Sequence, residues 1–207
     1  MRNLIFIFFI SLFFQNAIAQ IELTKDEISV FKKEVVKTSN TTKTIVSDFE
    51  QYKHLSFLNN DIKTVGKLTF KTPNLIKWEY RKPYKYTAIF KENTLFVNDS
   101  GDKNTIDLGS NKLFKKFNEL IINSVKGNLF NDNEFTITYA KKSDFYLVTF
   151  IPKDKNMVNF IAKFQLTFDT KTADVLKVKM IEPSADYTLI IFKNKQLNKP
   201  VLDAEFN

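Results

Sequence analysis

The side chains that most often carry out catalysis or hold metal ions are nearly absent from this sequence. It has one histidine, His54, and no cysteine among its 207 residues. Protein zinc sites need several His, Cys or carboxylate ligands, so this composition predicts no zinc site. A Ser–His–acid triad would have to use His54, and no serine lies in a G-x-S-x-G turn. The sequence therefore gives no support for catalysis.

Aromatic side chains are abundant instead. The chain has 22 Phe, and 17 of them follow residue 19. Residues 70–86, FKTPNLIKWEYRKPYKY, include the only tryptophan, Trp78, and three tyrosines. Rigid rings on a curved sheet leave space between them, and a concave apolar space is typical of a ligand pocket. An ordinary Phe-rich core is the alternative.

The N-terminus has the pattern of a secretory signal peptide. Arg2 precedes an apolar run at residues 4–14, and Ala17-Ile18-Ala19 matches a small-x-small cleavage site. The run is too short to span a bilayer, although a retained anchor is the alternative. We expect cleavage after Ala19, which leaves one domain at residues 20–207. Because no cysteine follows the cleavage site, we expect no lipid to be attached there.

The chain is basic, with a formal net charge of +8, one unit of which belongs to Arg2. Basic surfaces attract nucleic acid or anionic phospholipid headgroups. An exported protein rarely meets nucleic acid, so we expect a membrane surface rather than nucleic acid as a partner. A lysine-rich solvated surface without a partner is the alternative, because the lysines are scattered along the chain.

Periodicity predicts a helix, then four strands, then a second helix and five more strands. Apolar residues at helical spacing predict the first helix over residues 24–52, with the polar KTSNTTK as a break or internal cap. Period-two patterns then follow in GKLTFK, LIKWEY, YKYTAIF and TLFVND, and NDSGDK reads as a tight turn. An apolar stripe predicts the second helix at residues 113–125.

Five more alternating segments follow this second helix. They are FTITYA, FYLVTFIP, FIAKFQLTFD, DVLKVKMI and YTLIIFKN, with a hairpin turn predicted at residues 169–172. Long consecutive antiparallel strands curl into a barrel or half-barrel, and helices can cover one face. The predicted fold class is α+β: a curled antiparallel sheet that forms an incomplete half-barrel, with helices as a lid over an apolar cavity.

Several short motifs occur in an order that resembles the LolA family, the periplasmic carriers of lipoproteins to the outer membrane. They are F-x-Q at Phe49, placed by the helix prediction at the end of the first helix, then G-x-L at Gly66, a strand ending at Pro73, W-x-Y at Trp78 and a following Pro83. The closing LDAEF also fits, so the resemblance covers essentially all of residues 20–207.

The resemblance implies a monomeric periplasmic carrier that uses no cofactor. It would take acylated lipoproteins from an ATP-driven inner-membrane release complex and pass them to an outer-membrane acceptor. Residues predicted to form the acyl-chain cavity and its lid are Phe49, Leu68, Phe70, Ile76, Trp78, Tyr80, Phe90, Phe114, Phe117, Leu120, Ile121, Phe164 and Leu166.

One position departs from the family pattern. In the family an Arg directly before the strand-ending Pro latches the lid, whereas this chain has Thr72 there. The neighbouring Lys71 should point to the opposite face of the strand, so it cannot replace the Arg. A carrier of another acylated envelope lipid is therefore an alternative. An enzyme acting on envelope lipid or glycan and a structural envelope protein are alternatives from other classes.

Overall fold

The computed structural model of the protein describes residues 21–108 and 129–207. Within these ranges a single antiparallel sheet of 12 strands runs in the order β1-β8-β9-β10-β11-β12-β2-β3-β4-β5-β6-β7. The two edge strands, β1 and β7, lie at opposite ends of this order, so the sheet does not close into a full barrel. The predicted fold class of an incomplete antiparallel barrel is confirmed.

From β2 to β7 each strand pairs with the next strand along the chain, and the same holds from β8 to β12. The strands are β1 (Ile21–Glu22), β2 (Thr44–His54), β3 (Ile62–Lys71), β4 (Leu75–Lys82), β5 (Tyr86–Lys91), β6 (Thr94–Asp99), β7 (Asp102–Asp107), β8 (Phe135–Lys142), β9 (Phe145–Pro152), β10 (Lys163–Asp169), β11 (Val175–Ile181) and β12 (Tyr187–Leu197). The helices are α1 (Lys25–Thr41), the short α2 (Lys155–Val158) and a 3-10 turn at Asp203–Phe206.

Helix α1 begins at a capping box and ends earlier than the sequence predicts. The Thr24 hydroxyl accepts a hydrogen bond from the Glu27 amide, and the Glu27 carboxylate accepts one from the Thr24 amide. The helix buries Phe31 and Val35 and stops at Thr41. The prediction of a helix continuing to residue 52 is wrong, because residues 44–54 form strand β2.

Polar residues at inward positions hide the strand pattern of β2. Ser47 is buried, and its hydroxyl donates to the Lys193 carbonyl of β12 at 2.9 Å. Gln51 accepts a hydrogen bond from the Tyr80 hydroxyl of β4 at 3.0 Å. With these two positions polar, the remaining apolar residues fall at helical spacing, although the side chains alternate across a strand. The F-x-Q motif therefore lies in β2 and not at the end of a helix.

The other strand predictions agree with the structure. Both predicted hairpin turns are present, between β6 and β7 and between β10 and β11. The sequence patterns missed the two edge strands, since β1 has two residues and β7 is almost entirely polar and exposed. The predicted second helix at 113–125 and the predicted signal peptide lie outside the described residues.

Two apolar clusters fill the concave side of the sheet. The first, here called the central cluster, joins β2 to β6 and includes Phe49, Phe70, Trp78 and Phe90. The second, here called the helix cluster, joins α1 to β8, β9 and β10 through residues such as Phe31. Two packed clusters rather than one leave a boundary between them, and this boundary positions the site described below.

The C-terminal segment is fastened across the outer face of the sheet. The Lys71 ammonium on β3 donates to the Val201 carbonyl at 2.9 Å and to the Asp203 carboxylate at 2.6 Å. Lys91 on β5 donates to the Asn207 side chain at 3.2 Å, and Phe206 between them is 2% exposed. Lys71 thus points away from the concave face, as the strand alternation predicts.

Among the helices in the described ranges, none is both long enough and apolar enough to cross a bilayer.

The ring of Phe49 lies directly over Gly66, its register partner on β3. A Cβ at position 66 would lie 2.5 Å from Cζ of Phe49 and 2.2 Å from the Glu79 carbonyl oxygen of β4. Atoms cannot approach this closely, and one of the two is backbone. Glycine at position 66 is therefore required for β2, β3 and β4 to pack at their observed separation.

We expect Gly66→Ala to lower the free energy of unfolding by about 1–3 kcal/mol, the usual cost of overpacking. The control is Lys67→Ala on the same strand, which adds no atom to the core and should change stability by about 0.5 kcal/mol or less. Urea denaturation of the purified variants measures both values. Equal stability of Gly66→Ala and wild type would show that the Phe49 ring does not exclude a side chain at position 66.

Candidate ligand-binding cavity

An apolar cavity of about 150 Å³ lies at the boundary between the central cluster and the helix cluster. Leu68 and Trp78 line it from the central cluster, and Val35, Phe150 and Phe168 line it from the helix cluster. Its walls therefore come from side chains that the strand alternation and the helix stripe direct into the same space. Polar atoms are confined to a few residues discussed below.

Strands β10 and β12 show how the sequence builds the walls. In β10 the side chains of Phe164, Leu166 and Phe168 alternate with solvent-facing ones, and all three line the cavity. In β12 Ile190 and Phe192, two residues apart, also line it. Helix α1 covers the space, with Val35 and the last turn of the helix facing into it.

The structure places the predicted site residues in three groups. Those that line the cavity are Leu68, Trp78, Phe164 and Leu166. Those buried in the central cluster without lining the cavity are Phe49, Phe70, Ile76 and Phe90. Tyr80 packs at the edge of that cluster, and Phe114, Phe117, Leu120 and Ile121 lie outside the described residues.

The motif residues of β2 and β4 form one aromatic group behind the cavity wall. The Phe49 ring meets Trp78 edge-on at 4.9 Å between centroids and Tyr80 at 5.2 Å. Edge-to-face pairs add to the stability that burial alone provides. Burial raises the pKa of Tyr80 to about 12, so its hydroxyl stays protonated and donates to Gln51. The group fixes Trp78, which is the member that lines the cavity.

The predicted latch position, Thr72, is exposed and does not line the cavity. Its amide donates to the Lys43 carbonyl at 2.9 Å, which fixes the backbone at the end of β3 next to the end of α1. The lid that the family resemblance implies for residues 113–125 lies in the part of the chain that is not described.

Polar residues at one end of the cavity were not predicted from the sequence. They are Thr38, Ser39 and Thr42 on or next to α1, Asp174 at the β10–β11 turn and Lys195 on β12. Burial lowers the pKa of Lys195, and the Asp174 carboxylate 3.7 Å away opposes that change. Alternation along β12 would place Lys195 on the outer face, so only a local irregularity, visible in the structure, brings it inside.

In the described part of the chain, no metal-binding group adjoins this cavity. Within residues 21–108 and 129–207, no group of three or more His, Cys, Asp or Glu side chains could hold a metal ion. His54 ends strand β2, where it contacts the Asp61 carboxylate at 2.8 Å and stacks on Tyr187 at 4.7 Å. It is not among the residues that line the cavity, and it is the last residue of a strand instead of following a helix.

Known structures share this architecture at very low sequence identity. An uncharacterised conserved protein from Thermus thermophilus is 6% identical, with a TM-score of 0.54 over 86% of this chain and 91% of its own. A DUF1329 family protein from Desulfovibrio piger is 11% identical, with a TM-score of 0.50 over 87% and 97%. A LolA superfamily protein from Nitrosomonas europaea is 8% identical, with a TM-score of 0.47 over 86% and 96%. At such identities the likeness concerns the fold alone.

Sequence comparison is more specific. No curated protein sequence matches this chain. The profile of the family described as "Outer membrane lipoprotein carrier protein LolA" matches residues 40–207, from the end of α1 to the last residue. Since that match spans most of the chain and includes every described strand of the sheet except β1, the chain belongs to the LolA family.

Proposed function

We propose that this protein is a soluble periplasmic carrier that holds the acyl chains of lipoproteins in its apolar cavity and takes them from the inner to the outer membrane. It receives cargo from an ATP-driven inner-membrane release complex and passes it to an outer-membrane acceptor. It acts as a monomer without a cofactor and is exported by a signal peptide cleaved after Ala19. The observation that carries this proposal is the apolar cavity between two packed clusters of an unclosed sheet.

The physical problem that such a carrier solves is the cost of exposing acyl chains to water. Each methylene group removed from water contributes about 0.8 kcal/mol, so a free acylated protein cannot cross an aqueous space at a useful rate. The cavity walls supply apolar surface from Trp78, Phe164, Phe192 and their neighbours. Binding of this kind needs no chemical step, because burial of apolar surface alone provides the driving force.

The cavity has to enlarge when cargo enters. Its volume of about 150 Å³ is comparable to an engineered cavity that admits one benzene molecule. A lipoprotein carries longer chains than this volume accommodates. The walls belong to two different clusters, so a small separation of the helix cluster from the central cluster opens the space without breaking either cluster. We infer that α1 moves with the helix cluster because Phe31 and Val35 are buried in it.

We expect Ile190→Trp to weaken binding of the apolar dye N-phenylnaphthylamine by about tenfold. The larger ring occupies space in the cavity and displaces the equivalent of two methylene groups, about 1.6 kcal/mol. Leu189→Trp is the matched control, because neighbouring residues of a strand point to opposite faces and Leu189 does not line the cavity. Fluorescence titration of wild type and both variants measures the affinities.

The same titration distinguishes a ligand-binding cavity from an ordinary aromatic core. If wild type shows no saturable dye binding, the cavity does not take apolar ligands and the carrier function is excluded. If both tryptophan variants bind as wild type does, the ligand occupies another place on the protein.

The native cargo gives the direct test of function. We expect protein purified from the periplasm of its own host to carry acylated lipoproteins, which intact-mass and lipid mass spectrometry would identify. The Ile190→Trp protein expressed in the same way is the control and should carry less cargo. Recovery of phospholipid or a lipid-linked small molecule without any lipoprotein would replace lipoproteins by that lipid as the cargo.

The latch position gives a prediction about release. Thr72→Arg adds a charged donor at the place where the family pattern has an Arg, and a hydrogen bond to a charged group contributes about 1.5–3 kcal/mol. Because about 1.4 kcal/mol changes a two-state ratio tenfold, we expect transfer of cargo to acceptor membranes to slow by about tenfold or more. Thr72→Gln, which is polar but uncharged, is the control. Unchanged transfer in Thr72→Arg would show that position 72 does not act on the closed state.

A further inference from the structure

We propose that Lys195 and Ser39 form a polar hook that binds the carbonyl oxygen of an acyl group at one end of the cavity. This inference rests on the proposed carrier function and adds the chemical group that the cavity recognises. The hook would orient a chain by its carboxyl end, with the hydrocarbon extending along the apolar walls. The inference comes from three features of the cavity: an irregularity in β12, the donors left over on Lys195, and a buried hydroxyl without a partner among the described residues.

A β-bulge turns Lys195 into the cavity. On β12 the residues lining the cavity are Ile190, Phe192, Lys195 and Leu197, so the interval of two becomes three between Phe192 and Lys195. The pairing with β2 shows the same irregularity, since Lys193 pairs with Asp48 and Gln196 with Val46. The register of β12 thus shifts by one residue against β2, an arrangement that commonly redirects a side chain near a functional site.

Specific contacts hold this bulge in place. Asn194 has a positive φ of 51°, which non-glycine residues seldom adopt, and its side-chain amide donates to the Asp48 carboxylate at 2.9 Å. Opposite the bulge, the buried Ser47 hydroxyl donates to the Lys193 carbonyl at 2.9 Å. Two independent hydrogen bonds therefore maintain a backbone conformation whose effect is to place a cationic side chain inside an apolar space.

Lys195 keeps donor capacity that the described part of the protein does not use. An ammonium group has three N–H donors. One donates to the Val175 carbonyl at 2.5 Å, and the Asp174 carboxylate lies at 3.7 Å, beyond hydrogen-bond distance. Asp174 nevertheless balances the charge of Lys195. A neutral acceptor such as an ester or amide carbonyl therefore fits this corner better than a second anion would.

Ser39 supplies a second unused donor. Its Oγ is buried and has no hydrogen-bond partner among the described residues. A buried hydroxyl without a partner is destabilising, so most such groups are satisfied in folded proteins. Ser39 lines the same cavity, and it lies beside Thr38, whose hydroxyl donates to the Thr172 carbonyl at 3.2 Å in the turn that leads to Asp174. Both residues are therefore connected to the same β10–β11 turn, Ser39 through its neighbour Thr38 and Lys195 through Val175 and Asp174.

The test measures how well three C12 ligands displace N-phenylnaphthylamine from wild type and variants. Methyl laurate carries an ester carbonyl, lauric acid carries a carboxylate, and dodecane has no oxygen. We expect Lys195→Met, which keeps most of the length of the side chain, to weaken methyl laurate about tenfold while dodecane and the dye change less than twofold. Lys193→Met is the control, because Lys193 precedes the bulge and contacts Glu50 at 2.9 Å on the outer face.

Ser39→Ala distinguishes a ligand-binding role of the hydroxyl from a purely structural one. Removing a buried hydroxyl without a partner, from a helix in which alanine is favoured, should raise Tm by about 2 °C or more. The same change should weaken methyl laurate by about threefold, with dodecane unaffected. A residue that is only structural would not make the protein more stable and its binding weaker at once.

The outcomes separate the hook from the carrier function. If the Lys195→Met effect appears with methyl laurate, the hook binds the carbonyl of an esterified chain, as proposed. If it appears with lauric acid alone, Lys195 binds a free carboxylate and the proposed preference for a neutral carbonyl is wrong. Equal changes for all three ligands, or no change for any, would overturn the hook while dye binding by wild type still supports the carrier. Failure of wild type to bind the dye would instead exclude the carrier function itself.

Discussion

The contact between the Phe49 ring and the backbone of Gly66 is the constraint on which the concave face depends. It lets three neighbouring strands pack at a distance that any other residue at position 66 would prevent. The ring then meets Trp78 and Tyr80 of β4 edge-on, which fixes the orientation of the indole that lines the cavity. The family-motif residues on β2, β3 and β4 are separated in the sequence, but in the fold they form one packed unit.

Polar groups on the inner face of strand β2 are paired, whereas two polar groups at the cavity keep donors that the described residues do not use. Ser47 and Gln51 occupy inward positions of β2, and each has a partner on a neighbouring strand. Lys195 and Ser39 differ, because their remaining donors face the cavity rather than an acceptor in the described part of the protein. Buried donors without partners reduce stability, so each one calls for an explanation, and for Ser39 and Lys195 the proposed explanation is an acceptor on the ligand.

The proposed carrier function requires release of the bound cargo, and the arrangement of the two clusters suits this requirement. Apolar contact is non-directional, so cargo held by it can slide out once the walls separate. A single continuous core would resist such separation, since closely packed interiors deform little. Here each cluster keeps its own aromatic contacts, such as Phe31 with Phe168 in one and Phe49 with Trp78 in the other. Separation at this boundary, which the proposed function requires, would leave the packing within each cluster intact.

The sequence by itself determined the fold class, the family and, in outline, every described strand except β1, β2 and β7, because alternating apolar residues and glycine or proline at turns are local signals. It could not determine strand β2, where the buried Ser47 and the half-buried Gln51 depend on partners on β12 and β4 that are distant in the chain. Nor could it determine which of the apolar residues border empty space: Leu68 and Trp78 do, whereas Phe49 and Phe70 are enclosed. The inward turn of Lys195 was equally invisible, because a β-bulge is defined by the register between two strands and not by the residues of one.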